Sequence, residues 1–132
     1  MEKKKKKVFI KGPISPEFIA DSIAKHSVKK DIGAHSIFLG QVRNEDKDGQ
    51  KVAAIEYTCY EEMADAEFTK IREEAFSKFS LTCMHIYHSL GLVKAGEICL
   101  FVFVSAPHRK EVFEALEWIV ENISPPFLNP KS

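Results

Sequence analysis

The chain has no charge of one sign to spend on a polyanion: Lys plus Arg and Asp plus Glu number 19 each across 132 residues. That balance excludes a uniformly basic nucleic-acid binder. Met1–Lys7 holds five lysines and one glutamate, so the rest carries 14 basic against 18 acidic residues, a net charge of about −4. The lysine run over residues 1–7 reads as a disordered, solvated basic tail, since no aromatic residue accompanies it; an electrostatic arm for RNA or membrane is the alternative. No apolar segment follows the lysines, so they do not open a signal peptide. No stretch reaches the roughly 18 continuous apolar residues of a membrane span. A soluble, cytoplasmic protein with neither nucleic-acid nor membrane partners is expected.

Cysteine is scarce, odd in number and without a C-x-x-C pair. Cys59, Cys83 and Cys99 lie far apart in strand-like runs, as expected of reduced, buried thiols in a cytosolic protein. There is no P-loop, no G-x-S-x-G and no dinucleotide fingerprint. His85 and His88 suggest a metal pair, but residues three apart on a strand point to opposite faces. With no Cys/His/carboxylate cluster visible elsewhere, no metal site and no cofactor are expected.

What is present is 45% hydrophobic content, enough for one compact domain with a real core. Strands are expected at Val8–Ile10, Gly33–Val42, Val52–Tyr60, Leu81–His88 and Ile98–Val104, with Leu90-Gly91 breaking the chain. Ser15-Pro16-Glu17 is a helix start, Ser as N-cap and Pro in the first turn, leading to a helix as far as Lys25 with Phe18, Ile19 and Ile23 inward. Ala64, Phe68, Ile71, Ala75 and Phe79 recur at helical spacing over Glu61–Phe79. A last helix from Pro107 carries Val112, Phe113, Leu116, Ile119, Val120 and Ile123 on its buried side. Asn44–Lys51 is charged and apolar-free, an exposed loop. Interleaved strands and helices predict a two-layer α+β or α/β domain.

Two apolar strands run into cations: Gly33–Gly40 into Gln41-Val42-Arg43, and Glu97–Val104 into Ser105-Ala-Pro-His108-Arg109. Arginine's planar fork suits phosphate or carboxylate. His108, Arg109 and Lys110 at a helix start are unfavourable beside its dipole unless an anion docks there, or unless Glu111 or Glu114 neutralises the turn. Brought together, the two ends form an anion pocket.

The motifs Gly33-Ala34, Gly40-Gln-Val-Arg43-Asn, His88-Ser-Leu-Gly91, Ala95-Gly96-Glu97, Ser105-Ala-Pro-His108-Arg109 and the Phe113-Glu-Ala helix occur in the order found in the large, catalytic subunit of molybdopterin synthase (MoaE-like). The resemblance spans about Lys7 to Ile123. It implies a hammerhead-like α+β fold, a homodimer with a small ubiquitin-like sulfur carrier at each end, and no metal or nucleotide in the reaction. It also implies a reaction: sulfur moves from the thiocarboxylated Gly-Gly tail of that carrier to cyclic pyranopterin monophosphate, making molybdopterin. Phe38, Gln41, Val42, Arg43, His108 and Arg109 then line the pterin-phosphate pocket. The tail over residues 124–132 departs from the pattern, as a truncation, an altered frame or a divergent end. Counted without gaps from Arg109, Ser124 stands where the family has its catalytic lysine, and Lys131 falls opposite a second lysine, which makes it the candidate amine; matching Pro126-Phe127 to the family's Pro-aromatic pair instead puts Asn129 in that second place. An inactive pterin-phosphate or partner-binding module and a generic phosphate sensor are the alternatives.

Overall fold

The computed structural model describes residues 8–44, 46–47, 49–51, 53–123 and 129–131. Eight strands and three helices follow in the order β1 (Phe9–Lys11), α1 (Pro16–His26), β2 (Ala34–Gln41), β3 (Asp46–Lys47), β4 (Gln50–Lys51), β5 (Ala54–Thr58), α2 (Glu61–Lys78), β6 (Cys83–Lys94), β7 (Ile98–Ala106), α3 (Arg109–Asn122) and β8 (Asn129–Lys131). The class is α+β: one mixed six-stranded sheet in the order β2-β7-β6-β5-β8, with β1 parallel to β6.

Alternation along the central strands divides the core. Val102, Val104 and Ala106 of β7, with Met84 and Ile86 of β6, face α2 and α3. Phe101 and Phe103 point the other way, onto Ile14, Phe18, Ile19 and Tyr87, so α1 covers the opposite face. The near-continuous apolar run in β7 follows from burial on both sides.

α1 starts as its sequence predicts: the Ser15 hydroxyl accepts a hydrogen bond from Phe18 N–H at 3.1 Å, and Pro16 occupies the first turn. Its inward face differs from expectation. Ile23 is 38% exposed, while Ser22 is buried and His26 half-buried. In α2, Ala64, Phe68, Ile71 and Ala75 are buried as expected. α3 begins at Arg109, after His108, and buries Val112, Ala115 and Ile119; Phe113 is 64% exposed, a correction to its expected inward position. The i, i+3, i+7 spacing of Val112, Ala115 and Ile119 sets the buried stripe, and Phe113 lies about 100° away from Val112.

Leu90-Gly91 does not end a strand. Gly91, at φ 89°, lets β6 continue to Lys94, so that Cys83–His88 pairs with β7 and Gly91–Lys94 with β5. The expected 44–51 loop contains a minimal hairpin, β3 with β4, turning through Gly49 at φ 79°. β8 pairs with β5 at the sheet edge, a position that tolerates Pro130. Residues 1–7, with the basic tail, and Ser124 lie outside the described residues. Among the described residues, no helix is long and apolar enough to cross a membrane.

Candidate functional site

β2 and β7 are antiparallel, with Ala34 opposite Ala106 and Gln41 opposite Ile98. This register decides where the two cationic ends lie. Arg43 follows the C-terminal end of β2, beside the start of β7, whereas His108 and Arg109 follow the C-terminal end of β7, beside the start of β2. The eight residues of β2 put roughly 25 Å between these ends. Within one chain the two cationic groups therefore do not meet, and the expected single pocket is not formed by them.

Backbone contact locks each end. At the Arg43 end, Val42 is 2% exposed; its N–H donates to Glu97 O at 3.0 Å, and its carbonyl accepts from Gly96 N–H at 2.8 Å. The Glu97 carboxylate in turn accepts from Lys94 N–H at 2.8 Å, closing the turn at φ 91° for Gly96. The Ala95-Gly96-Glu97 motif is thus the clamp on the Gln41-Val42-Arg43 motif. A register shift between Gly40 and Gln41 re-aims the exposed Gln41 and Arg43 side chains. Phe38 is half-buried and packs on the core facing α2 and α3; its ring lies 3.5 Å from where a Cβ on Gly40 would stand.

At the other end, a Cβ on Gly33 would stand 2.1 Å from the Pro107 carbonyl oxygen, and Gly33 N–H donates to Ala106 O at 3.0 Å. Only glycine permits that approach, which ties Gly33-Ala34 to Ala106-Pro107-His108. His108 is the N-cap of α3 in extended conformation, without a side-chain cap bond, and His108, Arg109 and Lys110 are exposed. The Glu111 carboxylate accepts from Ser80 N–H at 3.3 Å. Among the described residues neither Glu111 nor Glu114 forms an ion pair with Arg109 or Lys110.

Lys131 belongs to β8, where its backbone stands opposite Glu56. Since β5 begins opposite Lys94, Lys131 lies at the Arg43 end of the sheet, on the far edge from β2.

Residues 11–124 match the family model described as MoaE protein. The chain belongs to the MoaE family. It is 44% identical over 91 residues to the molybdopterin synthase catalytic subunit of Pyrococcus abyssi, a match covering 69% of this chain and 61% of that one. Against the molybdopterin synthase catalytic subunit of Bacillus subtilis strain 168 it is 35% identical over 113 residues, covering 86% and 69%. The chain thus spans about three fifths of the first relative's length. Molybdopterin synthase from Staphylococcus aureus superposes with a TM-score of 0.76 at 26% identity, covering 94% of this chain and 95% of that one. A complex of subunits 1 and 2 of molybdopterin-converting factor from Helicobacter pylori shares the fold, with a TM-score of 0.74 at 24% identity over 86% and 74%.

The thiols of this MoaE family member are not uniform. Cys59 lies just after β5, not within it, and burial, then Glu61 and Asp65, raise its pKa, which keeps it a protonated, poor nucleophile. Cys99 is buried, 3.5 Å from the Gly40 carbonyl. Burial, followed by its contact with Cys99, raises the Tyr57 phenol. His88 is buried against Tyr57, with Nδ1 donating to Ser89 O at 2.7 Å, and desolvation lowers its pKa.

Sequence reasoning missed one cluster. His85 and His88 do face opposite sides, but His85 is not alone on its side. Cys83 shares its face, and His26 reaches it from the last turn of α1; donor atoms of the three residues lie within 4.8 Å of one another. The expectation that no Cys/His cluster exists is corrected. The legible part was Cys83-x-His85, two donors on one face of a strand; His26 lies 57 positions before Cys83 and needs the fold to bring it there.

Proposed function

We propose that this chain works as the large subunit of a molybdopterin synthase. It would receive sulfur from the thiocarboxylated Gly-Gly tail of a small ubiquitin-like partner and pass it to cyclic pyranopterin monophosphate. The observation that carries the reading is the pair of clamps. Gly33 against Pro107, and Val42 against Glu97 and Gly96, fix His108-Arg109 and Arg43 at opposite ends of one rigid strand pair. Two complete anion pockets then require a second copy of the chain, turned end for end, so that Arg43 of one copy stands beside His108 and Arg109 of the other. An isologous two-fold homodimer supplies that arrangement twice.

In such a pocket the guanidinium forks of Arg43 and Arg109 hold the precursor's phosphate, assisted by the open amides at the start of α3. Phe38 and Gln41 bound the pterin side, with Val42 fixing the backbone beneath. Lys131 is the candidate amine from the sequence, as proton donor or covalent nucleophile, although within one chain β8 stands four strand positions away from β2 and Arg43. The partner reading draws support from the Helicobacter pylori complex, in which two different subunits associate and one shares this fold. Reconstitution tests the whole: the protein is mixed with the thiocarboxylated small partner and cyclic pyranopterin monophosphate, and molybdopterin is assayed. Product is expected. Tight binding of the small partner without product sinks the enzymatic reading.

A further inference from the structure

The His26–Cys83–His85 cluster lies on the α1 side of the sheet and has no part in the proposed sulfur transfer. Its donors come from two elements whose geometry is fixed independently. Cys83 and His85 sit two apart in β6, opposite Ser105 and Phe103 of β7, and so project from one face. His26 is the last residue of α1, and its ring packs 4.8 Å from Phe103. Cys83 is buried and both histidines are half-buried, so the donors are partly shielded from bulk water.

One of the two histidines, His26, is already held as a metal ligand is. His26 Nδ1 lies 2.7 Å from the Ser22 carbonyl oxygen. A carbonyl only accepts, so Nδ1 carries the hydrogen and the neutral ring turns a bare Nε2 toward β6. A backbone carbonyl on the remote nitrogen is the outer partner that fixes the tautomer of a metal-bound histidine. His26 Nε2 meets His85 Nε2 at 2.8 Å, a separation at which one hydrogen holds the two rings together. Two nitrogens bound tetrahedrally at about 2.05 Å from one ion stand roughly 3.3 Å apart. An opening of about 0.5 Å between the nitrogens, with the Cys83 sulfur, which lies within 4.8 Å of them, settling at about 3.6 Å, therefore admits an ion where the hydrogen was. The Cys83 sulfur accepts a hydrogen bond from Lys29 Nζ at 3.1 Å, a surface lysine that can swing away.

We propose that His26, Cys83 and His85 form a binding site for a divalent transition-metal ion, best fitted by Zn²⁺, that ties the last turn of α1 to β6. Two imidazoles and one thiolate are a borderline-soft donor set that suits tetrahedral Zn²⁺ better than Mg²⁺ or Ca²⁺. Three protein ligands leave a fourth position for water. On binding, Cys83 loses its thiol proton to solvent, and the hydrogen between the rings moves to His85 Nδ1, so His85 Nε2 becomes a ligand. The ion would stabilise the folded chain by mass action, since the three ligands converge only when α1 is docked.

The test uses the full, untagged, chelator-stripped protein. Titration with Co²⁺ is expected to saturate at one equivalent, with visible bands of tetrahedral intensity and a thiolate-to-metal charge-transfer band, and Zn²⁺ should displace it. Cys83→Ser should abolish the charge-transfer band, and His26→Gln and His85→Gln should each weaken Zn²⁺ binding by at least about tenfold. Cys59→Ser and Cys99→Ser should change neither. Where a histidine variant fails to fold, X-ray absorption of the unsubstituted Zn²⁺-loaded protein decides. The ion should then be surrounded by one sulfur at about 2.3 Å and two imidazole nitrogens at about 2.0–2.1 Å. A sulfur-free coordination sphere, no stoichiometric binding, or an affinity indifferent to Cys83→Ser overturns the site.

Discussion

Replacing Gly33 with alanine puts a methyl carbon 2.1 Å from the Pro107 carbonyl oxygen and 3.1 Å from its carbon. Carbon and oxygen do not approach below about 3 Å without cost, so the two segments must part by roughly 1 Å. The atom in the way is backbone and cannot rotate aside. Overpacking of this kind costs about 1–3 kcal/mol. The Gly33 N–H bond to Ala106 O, 3.0 Å long, lies in the same contact, and weakening it adds about 1 kcal/mol. Gly33→Ala should therefore destabilise the fold by about 2–4 kcal/mol, a fall in Tm on the order of 10 °C for a domain of this size. Gly91→Ala is the comparison: Gly91 has φ 89° and nothing within 4 Å of the added carbon, so its loss is the left-handed backbone penalty alone, about 1–2 kcal/mol. Chemical and thermal denaturation of both variants would show the ordering. Equal losses, or a Gly33→Ala protein with unchanged Tm, would refute the claim that steric contact with Pro107 makes this glycine necessary. Because Pro107 precedes His108 and Arg109, the same variant should also weaken precursor binding beyond what Gly91→Ala does.

Arg43→Ala and Arg109→Ala should each weaken cyclic pyranopterin monophosphate binding by about 1.5–3 kcal/mol, measured by calorimetry. If the pocket is shared between copies, mixing the two variants should restore about one site in four, because each mixed dimer holds one intact site; no recovery on mixing points to separate sites. Stability should fall as pH drops below about 6.5, the ordinary histidine value, because burial lowers the folded-state pKa of His88, and of His35 likewise. Their stabilising contribution is complete above the unfolded pKa and is lost as pH falls through the folded one; His88→Gln should flatten the slope of Tm against pH between about 7.5 and 5.5. Ile119→Ala, emptying a fully buried position of α3, should cost about 2–5 kcal/mol in urea unfolding.

The helices and central strands were legible because their signals are local. Ser15-Pro16 caps α1, the three- and four-residue recurrence of Ala64, Phe68, Ile71 and Ala75 fixes α2, and the apolar runs at 34–41 and 98–106 give β2 and β7. Register was not legible. Nothing near Arg43 or Arg109 indicates that their strands pair antiparallel, and that pairing separates two groups which end-of-strand reasoning placed together. Gly91 misled because a glycine at positive φ marks either a break or a kink, and only the pairing of Leu92, Val93 and Lys94 with β5 distinguishes them. Phe113 misled because it neighbours Val112 and belongs to an otherwise apolar helix. The His26–Cys83–His85 cluster escaped because proximity between a helix end and a strand face is a tertiary fact.

A paired strand is also a ruler with fixed graduations. β2 and β7 carry a cationic group at each far end, so the spacing between those groups is set by residue count, in steps of about 3.3 Å. Removing one residue would turn every following side chain to the wrong face, and removing two would restore the faces but shorten the ruler by about 7 Å. Length along β2 can thus drift only in pairs, and any such drift changes the distance between Arg43 and the His108-Arg109 pair. In the two-fold assembly proposed above, the eight residues between Gly33 and Val42 would be the gauge against which the second copy fits.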